Sequence, residues 1–154
     1  LSNESIQFVE CMVAEHMRPL QLASEPDLSR RAIYRFFRDT APSGEAGAAV
    51  ALHGLVDHRA KAAEAAQTEA VDSTVNRLLA ACFTDERRQV IEPPPLLSGR
   101  EVMQELGLPQ GKLIGLILRR LKEAQAVGEV QDRESALMFV KSDPDFARYQ
   151  TGNV

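Results

Sequence analysis

The residues closest to metal chemistry are His16, His53, Asp57 and His58. His53 and Asp57 are four residues apart in an Ala-rich stretch, so on a helix they face the same way, a workable geometry for two ligands. His16 falls on an earlier helix. A metal site normally needs three or four ligands and a shell of groups that orients them. No further His–Asp pair is available to complete one, so the favoured reading is of helix-surface or partly buried polar residues. Asp143 and Asp145 have the D-x-D spacing with which nucleotidyl transferases hold two metal ions. They flank Pro144 near the chain terminus with no strand to hold them rigid, and they read as a surface turn. The chain has no phosphate-binding glycine loop, and no Ser or Cys nucleophile stands near a His base.

Basic residues offer different chemistry. The net charge of −4 argues against a uniformly basic nucleic-acid binder. Yet four arginines and no acid lie between Leu28 and Arg38, and four basic residues and no acid between Leu106 and Lys122. In the first island Arg30 begins the run. Arg31, Tyr34, Arg35 and Arg38 then share one helix side, opposite Ala32, Ile33, Phe36 and Phe37. A row of guanidiniums with one stackable ring suits RNA phosphates and bases. A solvated face paired to acids such as Glu25 or Asp39 fits equally well. In the second island the backbone N–H groups before Lys112 are free to hold a phosphate, with Arg119 and Arg120 further along the helix. A hairpin that only packs is the competing reading.

The elements that must position these residues are helices. Aromatics are 5% of the chain, Trp is absent and Ala abundant, a composition of closely packed helices rather than sheet sandwiches. Ser2 or Asn3 caps a first helix whose stripe is Ile6, Val9, Val13, Met17 and Leu20, ending near Met17 because of Pro19. A polar link with Pro26 leads to a second helix, about Ser29 to Asp39. After a loop from Ala41 to Gly47, a helix runs to about Ala66 with Val50, Leu55 and Val56 inward. The next, about Glu69 to Val90, carries Val71, Val75, Leu78, Leu79, Cys82 and Phe83. Cys11 and Cys82 read as buried reduced thiols. Pro93, Pro94 and Pro95 cannot continue a helix and mark a boundary. Beyond them, Ser98 and Glu101 have capping-box spacing, Gly107 and Gly128 end helices, and Asp132 starts the last one. The stretch from Ser142 to Val154 is polar and expected to fray. No strand is expected, and no apolar run approaches the roughly 20 residues needed to cross a bilayer.

Two stretches carry a family resemblance. EHMRPLQLA, SRRAIYRFFRDT and ALHGLVDHRAKAA resemble the later half of the HD domain in one branch of bacterial tRNA nucleotidyltransferases, the CCA-adding enzymes and poly(A) polymerases. PPPLLSGREVMQELGLPQGKLIGLILRRLKEAQAVGEVQDRESALMFVK resembles the helical module that ends the family. The resemblance implies an all-α fold: residues 1–66 as the later half of an HD-like bundle, 67–92 as a connecting helix, and 93–154 as a C-terminal tail module. It matches His16 to a metal-ligand histidine and Asp57 to the closing aspartate of the HD site, an incomplete set here. A catalytic head would precede Leu1, where the chain opens at what reads as a helix entry with no Met, as a piece of something longer would. The expectations are a cytoplasmic, noncatalytic chain that needs no cofactor itself, within a parent that uses a divalent metal. Its partners would be tRNA or other RNA and the head, with a homodimer also open. A half-site of an HD phosphohydrolase and a purely structural or dimerising module are the rival readings.

Overall fold

A computed structural model describes residues 2–40, 46–61 and 65–151, and among them it contains helices and no strand. The chain divides into two compact units, Leu1–Ile91 and Glu92–Val154.

The first unit contains α1 (Asn3–Glu15), α2 (Arg18–Ala23), α3 (Arg30–Asp39), α4 (Ala46–Lys61), α5 (Ala65–Phe83) and a π-helical turn, Arg87–Ile91. Ser2 caps α1 by accepting from the Ser5 N–H. Pro19 does break the first helix, but the chain restarts at once as α2 with that proline in its first turn, where a missing N–H costs nothing. Residues 41–45 of the expected loop lie outside the described set, and Ala46 and Gly47 are already helical. The core gathers Ile33, Phe36 and Phe37 of α3 with Val50 and Ala51 of α4 and Val71, Val75 and Leu78 of α5. α4 and α5 pack on each other and both pack on α2. Gly54 makes the approach to α4 possible, because a Cβ there would lie 2.5 Å from the His16 carbonyl oxygen.

Three sets of apolar residues lie exposed, and for Val56 this corrects an inward assignment. The α1 stripe is exposed: Ile6 at 42%, Val9 at 54%, Val13 at 66% and Met17 at 45%, and no residue of α1 is buried. Amphipathic spacing identifies an apolar face but not whether a neighbour covers it. Val56 points away from the buried Val50–Ala51–Gly54 side of α4 and is exposed. Phe83 is the last residue of α5, where the helix outruns its packing, and it too is exposed.

The second unit contains α6 (Gly99–Leu106), α7 (Lys112–Val127), α8 (Arg133–Lys141) and α9 (Pro144–Gln150). Its core is one cluster built around Leu97, Val102, Ile117, Leu121, Ala136, Val140 and Phe146. The local signals act as expected. Ser98 and Glu101 cap each other's backbone N–H groups, and Gly107 and Gly128 close α6 and α7 with φ of 64° and 83°. Asp132 caps α8 reciprocally with Ser135. The Gln125 side chain donates to the Pro94 carbonyl at 3.0 Å, tying the proline run to α7. The terminal stretch is not frayed throughout: α9 extends to Gln150 and buries Phe146.

Glu101 also bonds Arg133 on α8, and so links two helices. The hydrogen bond from the Ser98 backbone N–H, with those from the Ser98 hydroxyl and Arg133, lowers its carboxyl from 4.5 to about 2. A lowered folded-state value means that the stabilisation is full above pH 4.5 and drains as pH falls toward 2. Glu101→Gln keeps a capping side chain but removes the charge. The stability advantage of the wild type over this variant should therefore shrink across that window, as read by paired denaturant melts. An advantage that does not change with pH would contradict the assignment.

Candidate nucleic-acid interface

On α3 the N-cap is Ser29, whose hydroxyl accepts from the Ala32 N–H. The helix buries Ile33, Phe36 and Phe37 and turns Arg30 and Arg35 to solvent. Tyr34 does not belong to the open face: it is 3% exposed. At about 100° per residue it lies roughly 60° from Phe37, close enough to be drawn into the core edge. Its ring is not available to stack on a base. The Arg38 guanidinium instead sits 6.0 Å from that ring centre and bonds Asp39 at 2.7 Å. Asp39 also accepts from Arg18 at 2.8 Å, and Arg18 reaches Glu15 at 3.0 Å. Burial alone would raise the Asp39 carboxyl, but the hydrogen bonds from Arg38 and Arg18 outweigh it and hold the group below its ordinary range. Arg38 is thus part of an internal network, and the solvent-facing members of the row are Arg30 and Arg35, with Arg31 half-buried.

On α7 the positions 112, 115, 119 and 122 fall on one side of the helix, and all four are exposed. They are Lys112, Gly115, Arg119 and Lys122. Nothing lies within 4 Å of where a Cβ on Gly115 would sit, so the backbone between Lys112 and Arg119 is open to approach. Gly111 precedes the helix and supplies no capping side chain, which leaves the first-turn N–H groups of α7 without one. Among the described residues no carboxylate pairs with Lys112, Arg119 or Lys122. Arg120 is different. Its guanidinium bonds both oxygens of Asp143, at 3.0 and 2.9 Å, and Asp145 at 2.7 Å. These bonds tie Arg120 to the start of α9, so phosphate would have to compete with two carboxylates for it. Sequence reasoning counted Lys122 in the basic island but did not single it out, although its ten-residue spacing from Lys112 was the signal.

The same bonds reassign Asp143 and Asp145. Asp143 is 3% exposed and caps α9, accepting from the Asp145 and Phe146 N–H groups at 2.9 and 3.3 Å. Asp143 is a buried cap and ion-pair partner, and half-buried Asp145 shares Arg120 with it.

His16 and His53 do meet: their ring centres are 5.9 Å apart. The Asp57 carboxylate bonds Lys61 at 2.7 Å, and that bond, with smaller contributions from His16 and His53, lowers its pKa. The His16 Nδ1 lies 2.8 Å from the Val13 carbonyl oxygen, which orients the ring toward its own helix. Among the described residues no three His, Cys, Asp or Glu side chains converge to hold a metal ion. The other nitrogen-bearing ring, His58, buries its Nε2 without a partner among the described residues.

A stretch of 67 residues, 44% of the chain, is 48% identical to an A-adding tRNA nucleotidyltransferase of Deinococcus radiodurans. A stretch of 46 residues, 30% of the chain, is 52% identical to a CC-adding tRNA nucleotidyltransferase of Thermus thermophilus. Part of this chain is similar to tRNA nucleotidyltransferases. The matched stretches span 14% and 11% of those two proteins. No family model and no solved structure matches the chain. Among the described residues no helix is long and apolar enough to cross a membrane.

Proposed function

We propose that this chain is an RNA-gripping helical region of a tRNA nucleotidyltransferase, with tRNA as its polyanionic partner and nucleotide addition carried out elsewhere in a longer polypeptide. In this reading the first unit is the later part of an HD-like domain, the second is a tail module, and the protein works in the cytoplasm. The observation that carries it is the row on α7. Lys112, Arg119 and Lys122 stand exposed and unpaired with any described carboxylate, along a face opened by Gly115. Cations held apart from internal carboxylates are free to displace the counterions of a nucleic-acid backbone. The similarity to A-adding and CC-adding tRNA nucleotidyltransferases supports tRNA as that backbone. The noncatalytic part of the proposal draws on the carboxylates: the D-x-D pair is occupied in capping α9 and holding Arg120.

The test is tRNA binding measured against salt concentration. Each phosphate contact contributes about 0.7 to 0.9 to the log–log slope, so K112Q/R119Q/K122Q should shallow it by about 2 to 3. Unchanged affinity and slope in this triple variant would remove α7 as the contact surface. Nucleotide addition by the purified chain would remove the noncatalytic assignment.

A further inference from the structure

The first unit holds a pocket of about 350 Å³ where the segment between α2 and α3 meets α5. None of its residues belongs to the basic rows on α3 and α7. Thr74 of α5 lies in its wall, 9% exposed, and its hydroxyl makes no hydrogen bond with a described residue. That Oγ1 is not sealed in as the His58 Nε2 is, so its open side gives onto the pocket. A helical threonine can turn its hydroxyl back to the carbonyl four residues earlier, as Thr84 does to Ala80 at 2.8 Å. Thr74 does not. A hydroxyl held nine-tenths out of water without a partner costs free energy that a ligand recovers.

The rest of the lining sets the sign of that ligand. Glu25 and Asp27 flank Pro26 at the pocket, both exposed, and neither carboxylate bonds a described residue. The Arg77 guanidinium bonds Glu86 with both arms, at 2.8 and 2.6 Å. That bond raises the Arg77 pKa, and Asp27 adds to it only through space. Two carboxylates thus meet one guanidinium whose bonds are already made, a balance that favours a cation. Leu22, Leu28 and Ala70 supply an apolar side. The segment carrying the acids is held at both ends. The Ser24 and Glu25 N–H groups donate to the Gln21 and Leu22 carbonyls at 3.2 Å, and Ser29 caps α3. An ammonium has three N–H donors and no acceptor, which matches two carboxylates and a hydroxyl, and its methylenes suit the apolar side. A divalent cation asks for about six or more oxygens, and among the described residues no three acidic or histidine side chains converge.

We infer that this pocket binds the ammonium end of a small aliphatic amine, with Glu25 and Asp27 holding its charge and the Thr74 hydroxyl accepting one of its hydrogens. The inference is independent of the RNA-binding reading.

The test follows the backbone amide resonances of the whole chain as 1,4-diaminobutane is added to about 10 mM, past the millimolar affinity expected of so small a ligand. Saturable shifts confined to residues 22–28 and 70–77 are expected. T74V keeps the side-chain volume and should weaken binding about 10-fold. E25Q/D27N should abolish saturation. Neither variant loses a side-chain bond, so the remaining resonances should stay in place. 1,4-Butanediol, of the same length but uncharged, should give none of these shifts. Absence of a saturable shift in the wild type overturns the inference. So does unchanged affinity in T74V, which would reduce the two acids to diffuse surface charge. Magnesium ion moving the same amides at the same concentration would overturn it too, because the pocket would then accept any cation.

Discussion

Ile117→Ala should release the protection of the amides of α7 and α8 from hydrogen exchange by about 30-fold to several thousand-fold, corresponding to roughly 2–5 kcal/mol. Ile117 is 0% exposed on the inward face of α7. It sits in the same cluster as Val102 of α6, Ala136 and Val140 of α8 and Phe146 of α9. This one cluster draws on every helix of the second unit. Large-to-small changes cost the lost transfer free energy plus the cavity left behind, and relaxation is least where several elements meet. At about 0.1 kcal/mol per residue a unit of this length holds roughly 6 kcal/mol, so the change spends a large share of it. Met138 on α8 provides the contrast. It is 61% exposed, and Met138→Ala should leave the same amides within a few-fold of the wild type. Equal effects of the two changes would mean that the cluster around Ile117 is not the structural centre of this unit.

How much could be read in the residues depended on how far apart the interacting partners lie. Helix boundaries in the second unit were legible because each signal is local. Ser98 reaches Glu101 three residues on, Asp132 reaches Ser135, and Gly107 and Gly128 need only a left-handed backbone. The apolar stripe of α7 was legible for a similar reason, since it packs against α6 and α8, its neighbours in the chain. α1 has an equally regular stripe, yet Ile6, Val9, Val13 and Met17 face solvent. Periodicity reports the sidedness of a helix and nothing about its surroundings. Tyr34 fell at the border between two faces, where a turn of a few tens of degrees decides between core and surface. Among the site residues, Lys112 and Arg119 lie on the open surface that their positions implied. Arg120, adjacent in sequence, is claimed by carboxylates 23 and 25 residues away. No spacing rule connects an arginine in one helix to the cap of another, and only the fold brings them together.

That arginine–carboxylate junction should also be where a single polar substitution costs most. Asp143→Ala is expected to destabilise the second unit by roughly 2–4 kcal/mol and to unfasten α9, read as lost protection of residues 145–150 in hydrogen exchange. Two losses combine. The α9 cap disappears, leaving the Asp145 and Phe146 N–H groups without their acceptor, worth about 0.5–2 kcal/mol. The ion pair disappears as well, and it is set deeper than most, since the Asp143 side chain is 1% exposed. Breaking a fully buried pair costs about 3–5 kcal/mol because one charge is stranded. Here the stranded partner is Arg120, 38% exposed and still bonded to Asp145, so water and the second carboxylate recover part of that cost. Asp143→Asn separates the two losses: it retains a capping oxygen and the volume but not the charge, and should cost about half as much. The same geometry predicts that Arg120→Gln weakens α9 in this assay while leaving the salt dependence of tRNA binding near that of the wild type, unlike substitutions at Lys112, Arg119 and Lys122. A shallower slope in Arg120→Gln with α9 still fully protected would mean that the guanidinium leaves Asp143 for phosphate, and would return Arg120 to the contact surface.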